Sequence, residues 1–347
     1  FITSRSSTTR GAARYCGTGY YDASKLSSTY APLDVGATGI PDDGAANLLS
    51  GANHAFFYYC SSDGWGGSGS VTYTAADGAS PDYTMFERGH TIVTSGIAEL
   101  EAGVVADGGV EMPALTDASF VLLNGTSAGS AGARVHADWL TERLDANGTG
   151  VRAVFDAAND PAREVLAPEY QAQFDTLYAN IWSDNLAGRD YSPWLDESCL
   201  GYFGGTDEEW KCNTDSYVIR NHVTTPFFVR QDLRDASGLA EILGIALDDY
   251  EQLTRDSLLG LPSIGATAME SIPVAPGVYG PNCAQHVALE STDWWRQATV
   301  ESDGTQYTFQ DAVLSWYQGN GVSVVDAAVV GDGDGPRSDC AAVDEER

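Results

Sequence analysis

Residues 119–144, SFVLLNGTSAGSAGARVHADWLTERL, contain the pattern with the clearest chemical meaning in this sequence. An apolar run enters Gly125-Thr126-Ser127-Ala128-Gly129 and leaves through small residues into an amphipathic stretch. A Gly-x-Ser-x-Gly pentapeptide between a strand and a helix places its serine on a tight turn, with Oγ lifted off the sheet edge. Glycines at 125 and 129 remove side chains that would collide in such a turn. The helix that follows directs its positive N-terminal end at developing negative charge, and the Ala128 N–H is a natural oxyanion donor. The pentapeptide alone is common, so its strand–turn–helix setting carries the argument for Ser127 as a nucleophile. The competing reading is a turn built from small residues with no chemistry.

A serine nucleophile needs an imidazole base, and the base needs a carboxylate to orient it. The chain has five histidines: His54, His90, His136, His222 and His286. His54 leads into an apolar run, and His90 and His136 fall within expected helices, where packing is the ordinary role. His222 precedes an expected strand and is a weaker candidate. His286 stands in the loop Pro281-Asn-Cys-Ala-Gln-His286 beside a cysteine, a rigid place for a base. In α/β-hydrolases the order along the chain is Ser, acid, His. Asp232 and Asp235, just past the run beginning at Pro226, and Asp156, just past residues 151–155, are the available acids.

The elements that must position these groups alternate along the chain. Short apolar runs at 55–59, 119–123, 151–155 and 226–230 read as buried strands. Residues 90–101, 131–144, 161–179, 239–243 with their neighbours, and 309–317 read as helices. This alternation predicts an α/β fold, a mostly parallel sheet flanked by helices. No internal repeat of about 20–50 residues or Pro/Ser linker divides the chain, so 1–347 reads as a single α/β-hydrolase-like domain. Residues 61–70 and 331–339 are rich in Gly, Ser and Asp and read as loops. The second has calcium-loop composition without EF-hand spacing, and 331–347 reads more simply as an acidic tail. Asn124 and Asn147 both begin glycosylation sequons, and Asn147, at a helix end, is the more accessible.

Eighteen Lys+Arg against 49 Asp+Glu give a formal net charge of −31 over 347 residues. The acids divide into 32 Asp and 17 Glu, and only Lys25 and Lys211 stand beside 16 Arg. Such a surface excludes nucleic-acid binding through phosphates, which needs basic side chains. Asp excess with almost no Lys suits salty water, although a calcium-loaded extracellular protein has a similar composition. No apolar run approaches the roughly 18–20 residues that span a bilayer. Six scattered cysteines, Cys16, Cys60, Cys199, Cys212, Cys283 and Cys340, have no CxxC spacing and no histidine cluster nearby. They predict three disulfides and an oxidising, extracellular compartment rather than a metal or redox site. Connectivity is not legible from sequence; Cys199–Cys212 is the local pair, leaving Cys16–Cys60 and Cys283–Cys340. The chain opens on Phe1, which suggests a removed leader or a fragment.

Four blocks in order resemble the pectinacetylesterase/Notum family, secreted Ser-His-Asp carboxylesterases of the α/β-hydrolase type. They are Asn53-His-Ala-Phe-Phe-Tyr-Tyr-Cys60-Ser-Ser-Asp63-Gly-Trp65, the 125–132 turn, Thr225-Pro-Phe-Phe-Val-Arg-Gln231-Asp-Leu-Arg-Asp235, and Cys283-Ala-Gln-His286 with Trp294-Trp295 beyond. The third is similar to the family's Gln-x-x-x-Asp acid segment, which favours Asp235 over Asp232. The resemblance implies Ser127 as nucleophile, His286 as base and Asp235 as orienting acid, with no cofactor or metal.

The sequence departs from the family at Gly11-Ala-Ala-Arg-Tyr-Cys16, where the family has Gly-Gly-Gly-Trp-Cys. Backbone N–H groups near Ala13 or Arg14 would be the second oxyanion donor, and loss of one such donor typically costs about 10²–10³ in rate. No strand is evident in FITSRSSTT before it, so the first strand of the domain is expected to be missing. Trp65, Trp294 and Trp295 are candidates for lining an acyl or sugar pocket, with core packing as the alternative. The expected reaction is removal of acyl groups, acetyl first among them, from a glycan or related small ester. An impaired esterase scaffold with a structural or binding role is the alternative. Nothing in the sequence specifies an oligomeric state.

Overall fold

The computed structural model describes residues 2–4, 38–61, 63–73, 82–106, 109–157, 160–187, 189–235, 239–261, 267–269 and 272–326. Among these, seven strands build the central sheet: β1 (Ile2–Ser4), β2 (Phe57–Tyr58), β3 (Phe120–Ser127), β4 (Gly150–Asp156), β5 (Phe227–Arg230), β6 (Gly277–Gly280) and β7 (Ser323–Val325). Their spatial order is β7-β6-β5-β4-β3-β1-β2, and every neighbouring pair is parallel. The helices are α1 (Gly89–Ala102), α2 (Ala128–Asp145), α3 (Pro168–Leu186), α4 (Glu197–Phe203), α5 (Asp215–Asn221), α6 (Leu239–Leu243), α7 (Leu247–Gly260), α8 (Thr292–Arg296) and α9 (Phe309–Tyr317). This is an α/β-hydrolase-like sheet flanked by helices.

Alternating side chains of the inner strands feed two cores. Ala153 and Phe155 of β4 and Phe227 and Val229 of β5 pack on one face with Phe174 and Trp182 of α3 and Tyr250 and Leu258 of α7. Val154 and Phe228, the residues between, pack on the other face with Trp294 and Trp295 of α8 and Phe309 and Trp316 of α9. A third cluster of Trp65, Val93, Ile97, Leu140 and Val151 extends the first face. Burial on both faces explains why these strands read as continuous apolar runs rather than an alternating pattern.

The structure corrects the sequence reading in several places. The helix expected over 161–179 begins instead at Pro168, which occupies its first turn; Arg163–Val165 is a separate 3-10 turn. Proline is tolerated at a helix start and disrupts a helix interior, so Pro168 sets the boundary. Ile2–Ser4, where no strand was evident from sequence, forms β1 between β3 and β2. Its three residues carry too little pattern to be recognised alone, and pairing on both sides compensates for that. β6 and β7, short and flanked by Pro, Gly and Asn, escaped the sequence reading for the same reason. Of the sequon asparagines, Asn124 is buried and Asn147 exposed at the end of α2.

Cys199 and Cys212 form a disulfide joining α4 to the 3-10 turn Glu209–Asn213. Cys283 is disulfide-bonded as well. Cys16, Cys340 and the 331–347 tail lie outside the described residues. A loop of this length constrains the unfolded chain by about 3 kcal/mol. The double substitution Cys199→Ala/Cys212→Ala is therefore expected to lower unfolding stability by about that amount in urea denaturation.

Candidate active site

Strand order reverses at the β1/β3 boundary: the chain builds outward to β2 on one side and from β3 to β7 on the other. Open parallel sheets form a crevice at such a switch point, beyond the C-terminal strand ends. Ser127 stands there, as the last residue of β3 and the N-cap of α2. Its φ of 56° and ψ of −122° lie outside the regions ordinary L-residues favour, a strain of about 1–3 kcal/mol held by the surrounding packing. A Cβ at Gly125 would stand 2.1 Å from the Gly129 carbonyl oxygen, so the turn closes only over glycine. A Cβ at Gly132 would meet the Trp65 ring at 2.4 Å; the small residues after the turn let that ring press against α2.

The other two groups arrive on loops after β5 and β6. These loops run together through backbone bonds: Leu233 N–H donates to Pro281 O at 2.9 Å and Arg234 N–H to Cys283 O at 3.1 Å. His286 Nε2 lies 2.8 Å from Ser127 Oγ, and His286 Nδ1 lies 2.8 Å from Asp235 Oδ2. Gln231 Nε2–H donates to the same Asp235 oxygen at 2.8 Å. Asp235 is buried, while the His286 side chain is 42% exposed, so the ring reaches solvent from a buried anchor. The hydrogen bond to Asp235 raises the His286 pKa above the imidazole value of 6.5, against the opposing effect of burial. With Asp235 accepting, the tautomer assigned from these partners is Nδ1–H, leaving Nε2 to accept from the Ser127 hydroxyl.

The alternative acids lie elsewhere. Asp232 pairs with Arg230 Nη2 at 2.5 Å, and Asp156 pairs with Arg230 Nη1 at 2.9 Å; neither touches the imidazole of His286. The remaining histidines are also accounted for. His54 contacts Leu49 O, and His222 Nδ1 lies 2.8 Å from Ser198 Oγ. His136 is fully buried on Gly132 O at 2.8 Å and on His90 at 3.0 Å, and its pKa is pushed down to about 3 by burial. Of the oxyanion candidates, Ala128 opens α2, and Ala13 and Arg14 lie outside the described residues.

Trp65 is 0%, Trp294 5% and Trp295 1% exposed, each inside a hydrophobic cluster among the described residues, the core-packing alternative of the sequence expectation. Their bulk suits core filling, and Trp295 Nε1–H is satisfied by Asn47 Oδ1 at 3.2 Å. Gln231 and Arg230 gained no role from sequence, and Asp156 entered only as a candidate orienting acid at a strand end. Gln231 had a signal in the Gln-x-x-x-Asp spacing, whereas Arg230 had none. Among the described residues, no His, Cys, Asp or Glu group is arranged to hold a metal ion.

A serine on a left-handed strand-to-helix turn, hydrogen-bonded to a histidine and through it to an aspartate, at the switch point of a parallel sheet, defines an α/β-hydrolase-like protein. The pectinacetylesterase family model matches residues 20–333, and the chain belongs to that family. It is also similar to the palmitoleoyl-protein carboxylesterase NOTUM of Drosophila melanogaster, at 26% identity over 269 residues, 75% of this chain. The chain spans 35% of the length of that relative. Among the described residues, no helix is long and apolar enough to cross a membrane.

The two environments separate the histidines in titration. By NMR, His286 is expected to titrate above the ordinary 6.5 and His136 to stay neutral down to about pH 3. Asp235→Asn removes the group that holds His286 up, so the His286 midpoint is expected to fall.

Proposed function

We propose that this chain is a secreted serine carboxylesterase, a single domain over 1–347, that removes acyl groups from a glycan or related small ester through an acyl-enzyme. The observation that carries this reading is the line Ser127 Oγ–His286–Asp235, both of its hydrogen bonds at 2.8 Å. Ser127 Oγ attacks the ester carbonyl while His286 Nε2 takes its proton. The resulting imidazolium is held by Asp235, and the Ala128 N–H at the start of α2 supports the oxyanion. Collapse of the tetrahedral intermediate expels the alcohol, protonated by His286. Water then gives its proton to His286 as it attacks the acyl-enzyme, and the acid leaves with Ser127 restored. Backbone donors at Ala13 or Arg14 would complete the oxyanion site.

Secretion is supported by the Cys199–Cys212 disulfide and the bonded state of Cys283, which suit an oxidising compartment. The formal charge of −31 disfavours a strongly anionic polymer at low ionic strength. Salt of about 0.15 M screens that repulsion beyond roughly 8 Å. A neutral acetylated glycan, or an anionic one in salt, fits best, and acetyl is the proposed acyl group. The similarity to a palmitoleoyl-protein carboxylesterase favours a second reading, a longer acyl chain on a protein.

Ser127→Ala is expected to reduce p-nitrophenyl acetate hydrolysis by at least about 10³-fold, and Asp235→Asn by about 10⁴-fold in kcat. A p-nitrophenyl ester series separates acetyl from long-chain preference. Failure of the wild type to react with a fluorophosphonate probe would favour an esterase scaffold without activity. Because His286 must be neutral to accept a proton, kcat/KM is expected to rise with pH through a midpoint above 6.5.

A further inference from the structure

Beneath the site, three residues from adjacent strands stand in register: Thr126 on β3 opposite Asp156 on β4, and Asp156 opposite Arg230 on β5. Asp156 is 0% and Arg230 1% exposed. Asp156 Oδ2 accepts from Thr126 Oγ1 at 2.8 Å and from the backbone N–H groups of Ala288 at 2.9 Å and Leu289 at 3.0 Å. Its Oδ1 accepts from Arg230 Nη1 at 2.9 Å. Arg230 in turn donates to the carbonyl oxygens of His286 and Gln285, both at 3.3 Å, and to Asp232. Four backbone groups of the loop that bears His286 are thus held by two side chains, and one of those side chains also grips the residue preceding Ser127.

We propose that Asp156 and Arg230 are positioning residues that fix the His286 loop against the Ser127 strand, and so set the distance between base and nucleophile. This rests on the reading of Ser127 and His286 given under Proposed function. A buried ion pair seldom adds net stability over apolar side chains of the same volume, because desolvation offsets the attraction. The pair therefore calls for a role beyond holding the core together, and its bonds run to the base loop. Misplacement of a reacting group by about 1 Å can cost about 10²-fold in rate. Apolar substitutes at these positions would leave the loop's N–H and C=O groups without directed partners.

The test compares Asp156→Asn, Arg230→Lys, Ser127→Ala and wild type on p-nitrophenyl acetate, with folding followed by circular dichroism and thermal melting. Asp156→Asn keeps the shape but loses the charge and one acceptor oxygen. It is expected to lower kcat by about 10–10²-fold with KM within about threefold. Among the described residues, the charged groups facing His286 are Asp235, Asp156 and Arg230. Removing the Asp156 charge therefore moves the acid limb of kcat/KM to lower pH. Arg230→Lys keeps its charge but not its planar fork, so kcat falls while the acid limb stays in place. Wild-type kcat and pH profile in both folded variants, with only the melting temperature changed, would overturn the proposal. Loss of fold in both would overturn it too, by assigning the pair to structural integrity. Should Ser127→Ala retain activity, the Ser127 reading itself falls. Inactive Ser127→Ala beside wild-type behaviour in the other two removes only the positioning role.

Discussion

The left-handed backbone at Ser127 is the constraint around which the rest of the structure is arranged. An L-residue at φ 56° is strained, and it persists only where its neighbours leave it no other conformation. Gly125 lets the chain pass within contact of Gly129, and α2 begins at once at Ala128. Gly132 lets the Trp65 ring seat against α2, so the core extends up to the turn. Trp65 itself has φ 68°, in a loop gathered by Asp63, whose carboxylate accepts from Ser61 Oγ and the Trp65, Gly67 and Gly89 amides. A buried carboxylate with four donors resists rearrangement because any shift leaves N–H groups unpaired. The strain at the proposed nucleophile is thus supported by a second polar knot on the neighbouring loop.

Charge is distributed unevenly between surface and interior. Many of the few cations are committed to carboxylates: Arg134 to Asp215, Arg143 to Glu101, Arg163 to Asp175, Arg189 to Glu87, Arg230 to Asp156 and Asp232, Arg234 to Asp248 and Glu251, and Arg296 to Asp42. Arg189–Glu87 and Arg230–Asp156 are buried, where unpaired charge would be costly. The surplus of acid is left to face solvent, which suits persistence in salt and sets the electrostatic terms on which a substrate approaches. It contributes nothing direct to bond cleavage. The opposite holds for the few buried acids around His286, whose small number matters less than their placement.

Much of the site was legible in the sequence because its local geometry imposes residue types. A left-handed turn between strand and helix demands glycine and small residues, and these stand as a contiguous string at 125–132. The strands 150–156 and 227–230 were legible because burial on both faces makes them uniformly apolar. The beginnings of α2 and α3 were less so: α2 starts inside the small-residue string, and α3 only at Pro168. β1, β6 and β7 are three or four residues long and owe their existence to neighbours distant in sequence.

By itself the sequence determined the strand–turn–helix around Ser127, the α/β alternation, the acidity, and an ordered set of blocks that included His286 and Asp235. Those are properties of composition and local spacing, which a chain carries before it folds. Local spacing left Asp232 and Asp235 both open and the family resemblance favoured Asp235, but the contact with the imidazole is made by tertiary structure. Asp232 and Asp235 differ by three positions, but the β5 and β6 loops pair so that Asp232 turns to Arg230 and Asp235 to His286. The fate of Trp65, Trp294 and Trp295 was decided the same way, since a tryptophan suits a pocket or a core equally well until its neighbours are known. Asp156 met Thr126 and Arg230 through strand register, and register is a relation between segments that no single segment encodes.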